Sequence, residues 1–595
     1  MGLRRGALKR KALNFSFFSP PRPEGVLARP QILFLVRRER ARAYSAPMRI
    51  PDAVRPWLAR PAVHLETMVL VCAAYVMVAG NGPFWRAALA GRSWDDAGTW
   101  GFSAAIFISF TAFYLAVAAL VASRYTVRPL LALVLLVTAG ASYYMDRYAV
   151  YMDRPMLANV FATNYKEARE LVGWGMTGHI LLFGALPGAL LWWPTLKSRS
   201  LARAFAIRAG WIVAATALGV GSLLLVFADF ASLMRNNQDM RYLITPGNIV
   251  ASISANLWGR AKRPNQPRIV VGADAKVVGP ARTKPTLLVL VVGETARSQN
   301  FSLNGYGRPT NPELSKRNVI SFPDAVACGT STEVSLPCMF SSFGRSNYDE
   351  EKVLTHESVL HVLARAGVQV LWRDNQSGCK GVCDGLPLDQ LDHAGVAPFC
   401  AGDQCLDEVL LSGMDQVLKD RKGNLLVVMH QLGSHGPAYF KRYPPAFRKF
   451  QPDCQSEDLR LCNAEQIVNA YDNSVLYTDF FLGKVIDFLD RAQQTHDTAM
   501  LYVSDHGESL GEGGLYLHGM PYAIAPSGQT RVPFVLWLSQ AFRAGLGIDE
   551  QCLRARAIPE AASHEQLFHS LLGIFGVQTS AYDRKFDLFA PCRKP

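Results

Sequence analysis

Charge is scarce in this chain. Only 18% of its 595 residues are Asp, Glu, Lys or Arg, and half are apolar, whereas about 25% of an ordinary soluble domain is charged. That shortage excludes a disordered or fibrous chain and points to a membrane component. Cysteine is nearly missing from the first half: of eleven, one, Cys72, precedes residue 328. Acid is nearly missing from residues 1 to 47, which hold 11 Lys/Arg against two acids and so carry +9 of the formal net charge of +14. The remainder is mildly basic and contains no nucleic-acid reader. Internal repeats and low-complexity tracts are also missing. The length gives room for three or four domains of about 100 to 200 residues each.

The basic stretch, with "LRRGALKRK" and "VRRERARAYS" broken by prolines, has the composition of a transit peptide or a basic membrane-surface arm. It also fits an upstream stretch that is not translated, with Met48 as the start. Residues 1 to 60 are therefore expected to be an unstructured extension, and no function is assigned to them.

Five hydrophobic segments follow, at 65 to 80, 101 to 122, 127 to 145, 178 to 193 and 209 to 228. Each is near the ~20 residues that cross a bilayer, so residues 61 to 228 are expected to form a five-helix transmembrane domain. Arg124, Arg128, Lys197, Arg199, Arg203 and Arg208 lie in two short connections without acid. The other two connections mix both signs, with Asp95, Asp96, Asp146, Asp153, Glu167 and Glu170. The positive-inside rule makes the first pair cytoplasmic and places everything after residue 229 outside the cytoplasm.

The cysteines test that topology independently. Ten fall after residue 327, and eight make close pairs: Cys328 with Cys338, Cys379 with Cys383, Cys400 with Cys405, and Cys454 with Cys462. Short loops and an even number fit disulfides in an oxidising compartment. Structural zinc would not explain why cysteine avoids the cytoplasmic loops. Cys552 and Cys592 remain as candidates for a fifth bridge. Residues 229 to 285 read as an interfacial helix ending at a Pro-Gly stop, followed by a proline-stiffened tether.

The last 310 residues alternate strand and helix signals. Short apolar runs occur at 286 to 292, 368 to 372, 425 to 429, 499 to 504 and 533 to 538, with helix-length stretches between them. This order predicts a mainly parallel sheet with helices on both faces over residues 286 to 595. Such sheets bind ligands at the carboxyl ends of their strands. There the runs deliver Glu294; Asp374 and Asn375; His430 and His435; and Asp505, His506 and His518. Glu, Asp and His hold divalent metals. A lone histidine is more often a satisfied core residue, but four strand ends agree. For a nucleophile, "ACGTSTEVSLPCMFSS" (327 to 342) offers Thr330, Ser331 and Thr332 at a turn where a helix start adds its positive dipole end. An ordinary N-cap suits the same residues.

Six segments, "VVGETARSQNFSLNGYGRPTNP", "CGTSTEVSLPCMFSS", "WRDNQSGCKGVCD", "HQLGSHGPAYFKRYP", "YDNSVLYTD" and "YVSDHGESLGEGGLYLHGMPYAIAP", closely resemble the lipid A phosphoethanolamine transferases, including the mobile colistin-resistance enzymes. The resemblance runs from residue 60 to the C-terminus and includes Asp153, Met156, Asn159, Thr163 and Glu167 in the membrane part. It implies an inner-membrane protein, a monomer, with five spans and a periplasmic alkaline-phosphatase-like domain. It also implies a zinc held by Glu294, Thr332, Asp505 and His506, with Thr332 as nucleophile. His435 and His518 match positions for a second zinc or substrate, and Lys380, Gln376, Thr330, His430 and Glu508 line the phosphate pocket. Gln376 departs from the pattern, standing where the mobile enzymes have Asn. Asn159 and Glu167, on the outward loop at 146 to 177, are the candidates for a lipid headgroup site.

The implied reaction is a two-step exchange. Thr332 takes phosphoethanolamine from phosphatidylethanolamine, and a lipid A phosphate then receives it. The product carries less negative charge, which implies resistance to polymyxin and other cationic peptides. The alternative is transfer of phosphoethanolamine or another phospho-group to the lipopolysaccharide core or another envelope glycan. A sulfatase is disfavoured because the chain has no CxPxR pattern, and a sensor with a vestigial metal site because the ligand set is intact.

Overall fold

The computed structural model of the chain describes residues 60–163, 168–169, 171–261, 267–278, 282–392, 395–401 and 404–594. The expected N-terminal extension, apart from Arg60, and Glu167 lie outside the described residues.

Among the described residues, three helices are long and apolar enough to cross a membrane: Ala97–Val121, Val127–Tyr148 and Leu201–Leu225. The pair Leu65–Ala79 and Gly82–Ala88, bent by 61°, meets the same length and hydropathy requirement only when taken together. The bend has a local cause. Asn81 takes over at the break, its Nδ2 donating to Val76 O and Thr245 O, both at 2.9 Å, while its Oδ1 accepts from Thr245 N at 2.7 Å. One side chain thus satisfies the helix end and ties it to the segment leading out of the membrane.

The expected span at 178 to 193 differs. It is a seven-residue helix, Trp174–Ile180, a five-residue π-turn, Leu181–Ala185, and five more helical residues, Leu186–Leu190. Pro187 explains the wide turn, because it has no N–H to give and its ring crowds the carbonyl four residues back. Small residues bring these helices together. A Cβ on Gly184 would lie 3.1 Å from Ala139 Cβ, and one on Gly219 would lie 3.3 Å from Ala112 Cβ. The connector also departs from expectation. The chain forms Phe227–Asn236, a 3-10 turn at Gln238–Leu243, and a further helix, Gly247–Ala261. Pro246 and Gly247 therefore open a helix rather than stop one, a place where a proline's fixed φ is an asset.

The remainder is built on seven strands: β1 (Thr286–Gly293), β2 (Val319–Val326), β3 (Gln369–Asp374), β4 (Leu388–Gln390), β5 (Leu425–His430), β6 (Asp497–Ser504) and β7 (Arg531–Leu538). Their order is β2-β7-β6-β1-β5-β3-β4. Only β7 runs against the rest. The chain leaving β6 stays at the carboxyl rim through residues 505 to 530 and returns from that same rim, so β7 must be antiparallel. Two strands escape the apolar-run pattern. β2 carries Pro323 and sits at the sheet edge, where a missing N–H costs little; β4 is three residues long.

Every residue of β1 is buried. Leu287, Val289 and Val291 share one core with the long helix Ala464–Ala492, whereas Leu288, Leu290 and Val292 share the other with Val359–Arg365 and Glu565–Ile574. Helices therefore cover both faces, as the mixed αβ pattern predicts. A one-residue slip would exchange the two faces, so packing fixes the register. That register pairs Gly293 with Ser504 and His430 with both Val292 and Asp374. The next residues, Glu294 and Asp505, consequently emerge side by side.

The parts expected as separate domains share one buried apolar cluster. It includes Phe84, Tyr148, Met152 and Met240 from the membrane side together with Leu287, Tyr439 and Tyr471 from the sheet side. All four close cysteine pairs are joined, Cys552 is bonded to Cys592, and Cys72 is a buried thiol.

Candidate metal centre and nucleophile

Glu294, Asp505 and His506 are completely buried, and one ligand atom from each lies within 4.8 Å of the others. His506 Nε2 is 3.4 Å from Glu294 Oε1 and 3.4 Å from Asp505 Oδ2. The ring's other nitrogen, Nδ1, is 2.9 Å from Gly507 O. A carbonyl can only accept, so Nδ1 carries a proton and Nε2 faces the carboxylates. Asp505 Oδ2 makes no hydrogen bond among the described residues.

Three anionic or lone-pair donors thus converge where something positive is needed. The titration behaviour records the same demand. Burial works against the His506 imidazolium, but Asp505 and Glu294 outweigh it and push its pKa up to about 10. Burial and the Glu294 charge push Asp505 up to about 6. Glu294 itself is held well below the carboxylate range, because the hydrogen bond and charge of His506 overcome its burial. A buried set of oxygen and nitrogen donors with one carboxylate oxygen unpaired is chemically suited to zinc.

Thr332 joins this cluster. It is the first residue of the helix Thr332–Met339, after Ser331. Its hydroxyl donates to Glu294, at 3.0 Å from Oε2 and 3.2 Å from Oε1, and lies 3.3 Å from His506 Nε2. Thr330, two residues earlier, turns away and donates to Met520 O at 2.6 Å. The Cys328–Cys338 bridge closes this turn and helix into one unit. Ser335, on the same helix, donates to Asp505 O.

His564 is the residue that sequence reasoning missed here. Its Nδ1 accepts from Cys328 N–H at 3.0 Å and its Nε2 donates to Ser504 O at 2.9 Å. It links the nucleophile turn to β6 as a neutral ring, burial having lowered its pKa to about 4. No motif surrounds it, and only the fold brings it there.

The other strand ends surround the cluster. Gln376 Nε2 donates to Glu294 Oε2 at 3.2 Å. His430 Nδ1 donates to Asp374 Oδ1 at 2.8 Å, leaving a buried Nε2 without a hydrogen bond among the described residues. Burial opposes the charged form of both, yet their mutual attraction wins, raising His430 and holding Asp374 down at about 2. His518 lies beside His506 with the rings tilted by 44° and centroids 4.5 Å apart, and the His435 ring centroid is 5.6 Å from that of His518. His518 Nδ1 donates to Glu508 Oε2 at 3.0 Å, and Glu508 Oε1 accepts from Tyr439 at 2.9 Å. Lys380, in the loop closed by Cys379–Cys383, has its Nζ 3.8 Å from Glu333, the neighbour of Thr332.

Asn159 stands apart. It sits half-buried on the helix Arg154–Ala162, capped by Asp153, whose side chain accepts from Met156 N at 2.8 Å. Among the described residues its side chain makes no hydrogen bond to the cluster. Met156, on the same helix, does reach the rim: a Cβ on Gly519 would lie 2.5 Å from its Cε.

Comparison with known proteins gives concordant matches. The family model described as Sulfatase matches residues 286–577, and the one described as Phosphoethanolamine transferase EptA/EptB matches residues 110–258. The chain is 38% identical to phosphoethanolamine transferase EptA of Escherichia coli strain K12 over 545 residues, covering 90% of this chain and 98% of that protein. It is 36% identical to the phosphatidylethanolamine transferase Mcr-1 of Escherichia coli, over 79% of this chain and 87% of the relative. Among solved structures, the integral membrane lipooligosaccharide phosphoethanolamine transferase A of Neisseria meningitidis superposes with a TM-score of 0.86 at 36% identity, covering 90% of this chain and 100% of that one.

Proposed function

The chain belongs to the phosphoethanolamine transferases, and on that premise we propose that it moves phosphoethanolamine from phosphatidylethanolamine to a phosphate of lipid A. The observation that carries the proposal is the Thr332 hydroxyl, 3.0 Å from Glu294 inside a buried Glu, Asp and His cluster. In this reading the chain is a monomeric, multi-pass inner-membrane enzyme. Residues 61–228 supply five spans, 229–285 form an interfacial connector and 286–595 are the periplasmic catalytic domain.

Glu294, Asp505, His506 and Thr332 are the residues that would hold zinc, which supplies Lewis-acid stabilisation of charge on the phosphoryl oxygens and lowers the pKa of a coordinated hydroxyl. Thr332 Oγ1 is the nucleophile. The hydrogen bond to Glu294 and the bridged turn fix its position, and its place at a helix start adds favourable potential for the incoming phosphate. Attack on phosphorus forms the Oγ1–P bond as the bond to the diacylglycerol oxygen breaks; the proton given up by the Thr332 hydroxyl is balanced by the one diacylglycerol takes up on leaving, and phosphoethanolamine stays on Thr332, dividing one displacement into two. Gln376 and His430 offer an amide and a ring nitrogen to the phosphoryl oxygens, and Lys380 supplies a cation beside them. His518, held through Nδ1 by Glu508, can present its Nε2 to the departing oxygen. Thr330 serves the site through its backbone frame, since its hydroxyl is occupied by Met520 O. In the second step a lipid A phosphate oxygen attacks the adduct and frees Thr332. The added ammonium offsets surface negative charge, which accounts for resistance to polymyxin.

The test is mass spectrometry of lipid A from cells producing the chain, with intact-mass analysis of the purified protein. A phosphoethanolamine adduct on Thr332 and modified lipid A are expected, and both should vanish in Thr332→Ala. An adduct on Thr330 or Ser331 would refute the assignment, and unmodified lipid A with a modified core sugar would redirect it to another envelope glycan.

A further inference from the structure

Asp407 carries no motif and lies outside the metal cluster. It opens the 3-10 turn Asp407–Leu411, just after the hairpin of Cys400–Ala401 with Gln404–Cys405, which its own disulfide closes. The carboxylate is buried and, among the described residues, faces no cation. It accepts four N–H groups instead. Oδ1 takes Asn375 Nδ2 at 2.8 Å and Leu432 N at 2.8 Å, and Oδ2 takes Gly433 N at 3.0 Å and Gln431 Nε2 at 3.2 Å. Asn375 also donates to Cys405 O at 3.1 Å, so the bridged hairpin grips the same loop.

All four donors belong to two strand ends, the one after β3 that carries Gln376 and the one after β5 that carries His435. The second of these loops leans on the metal cluster itself. Ser434 N donates to Glu294 O at 3.0 Å, and Gln431 N donates to Val292 O at 3.0 Å. Gly433 has φ of +55°, and a Cβ there would lie 2.7 Å from Glu294 O. The close approach needs glycine, and the N–H of that glycine is held by Asp407.

A buried anion spending all its capacity on two catalytic loops is a costly arrangement unless loop position matters. We propose that Asp407 is a positioning residue for the transfer reaction: it locks the loops after β3 and β5 together and thereby fixes Glu294, Gln376 and His435 relative to Thr332. This rests on the reading of the site given above. Among the described residues the Leu432 and Gly433 N–H groups have no acceptor besides Asp407, so loss of the carboxylate should loosen the cluster without removing any ligand.

The experiment compares full-length Asp407→Asn with Asp479→Asn. Asp479 is another buried carboxylate that accepts two backbone N–H groups, from Glu313 at 2.7 Å and Leu314 at 3.0 Å, away from the cluster. Both substitutions turn an acceptor oxygen into a donor, so both should lower Tm. Only Asp407→Asn should also weaken zinc binding in chelator competition and lower kcat, each by about 10- to 100-fold, with KM for the donor lipid nearly unchanged. If Asp407→Asn does not fold, the double variant Asn375→Ala with Gln431→Ala, which removes two donors and keeps the carboxylate, should show the same pattern at smaller amplitude. Wild-type zinc affinity and kcat per folded molecule in either form would overturn the proposal, as would a matching loss in Asp479→Asn. Failure of the wild type to take up zinc or form the Thr332 adduct would instead strike the reading of the site.

Discussion

The sheet rim and the helix Arg154–Ala162 meet where Met156 packs against Gly519, and they hold their polar residues very differently. At the rim Glu294, Asp505, His506 and Glu508 are fully buried, and Glu294, His506 and Glu508 each answer to more than one partner. On the helix, Asn159 is half-buried and, among the described residues, its side chain makes no hydrogen bond to the cluster. Chemistry at phosphorus requires atoms fixed to fractions of an ångström. A surface over which a lipid headgroup must arrive and depart works with groups that can move. In the proposed function the difference between the two regions is a division between reacting and admitting.

Substitutions at the rim should have the largest effects. Replacing Glu294 by Gln, Asp505 by Asn or His506 by Ala should remove tightly bound zinc together with transfer, because each takes one donor from a site with few to spare. Metal analysis of the purified variants checks this, and zinc stoichiometry unchanged in all three would place the metal elsewhere. Chelation of the wild type should abolish transfer, and added zinc should restore it.

An intermediate effect should follow from separating the two regions. A soluble piece from residue 275 onward contains the whole sheet and four of its bridges close by in sequence. It should bind zinc and cleave small phosphoethanolamine esters slowly, yet transfer poorly between lipids, because the intact chain holds the site at the membrane and gains effective concentration. It also loses the membrane-side half of the shared apolar cluster, so its Tm should fall. A piece that modifies lipid A as fast as the full chain would erase the contrast between regions. The smallest effect should come from Asn159→Ala, a several-fold drop in lipid A modification at matched expression, with zinc content unchanged. Wild-type product levels would reduce the helix to a connector.

Much of this was legible in the sequence, for identifiable reasons. Apolar runs flanked by turn signals locate β1, β3, β5, β6 and β7, since a strand buried on both faces leaves no other pattern. Strand ends then point to Glu294, Asp505 and His506 because parallel strands share one rim. The edge strand β2 was hidden by Pro323, and the direction of β7 could not be read, since hydropathy carries no sense of chain direction. Residues 178 to 193 read as one unbroken span, because a hydropathy window does not register the backbone cost of Pro187 that makes the π-turn at Leu181–Ala185. Spacing could not choose between Thr330, Ser331 and Thr332, and the resemblance to a family made that choice. Asp407 and His564 were invisible for a different reason. Their partners are backbone and amide N–H groups or a carbonyl, and a sequence does not announce where those point.

The buried apolar cluster shared by Phe84, Tyr148, Met152 and Met240 with Tyr439 and Tyr471 has a mechanical consequence. Two bodies joined through a common core cannot swing about a tether, because separating them would expose that core to water. In the proposed reading the sheet that carries Thr332 is therefore tied to the apolar helices by packing as well as by the chain that connects them.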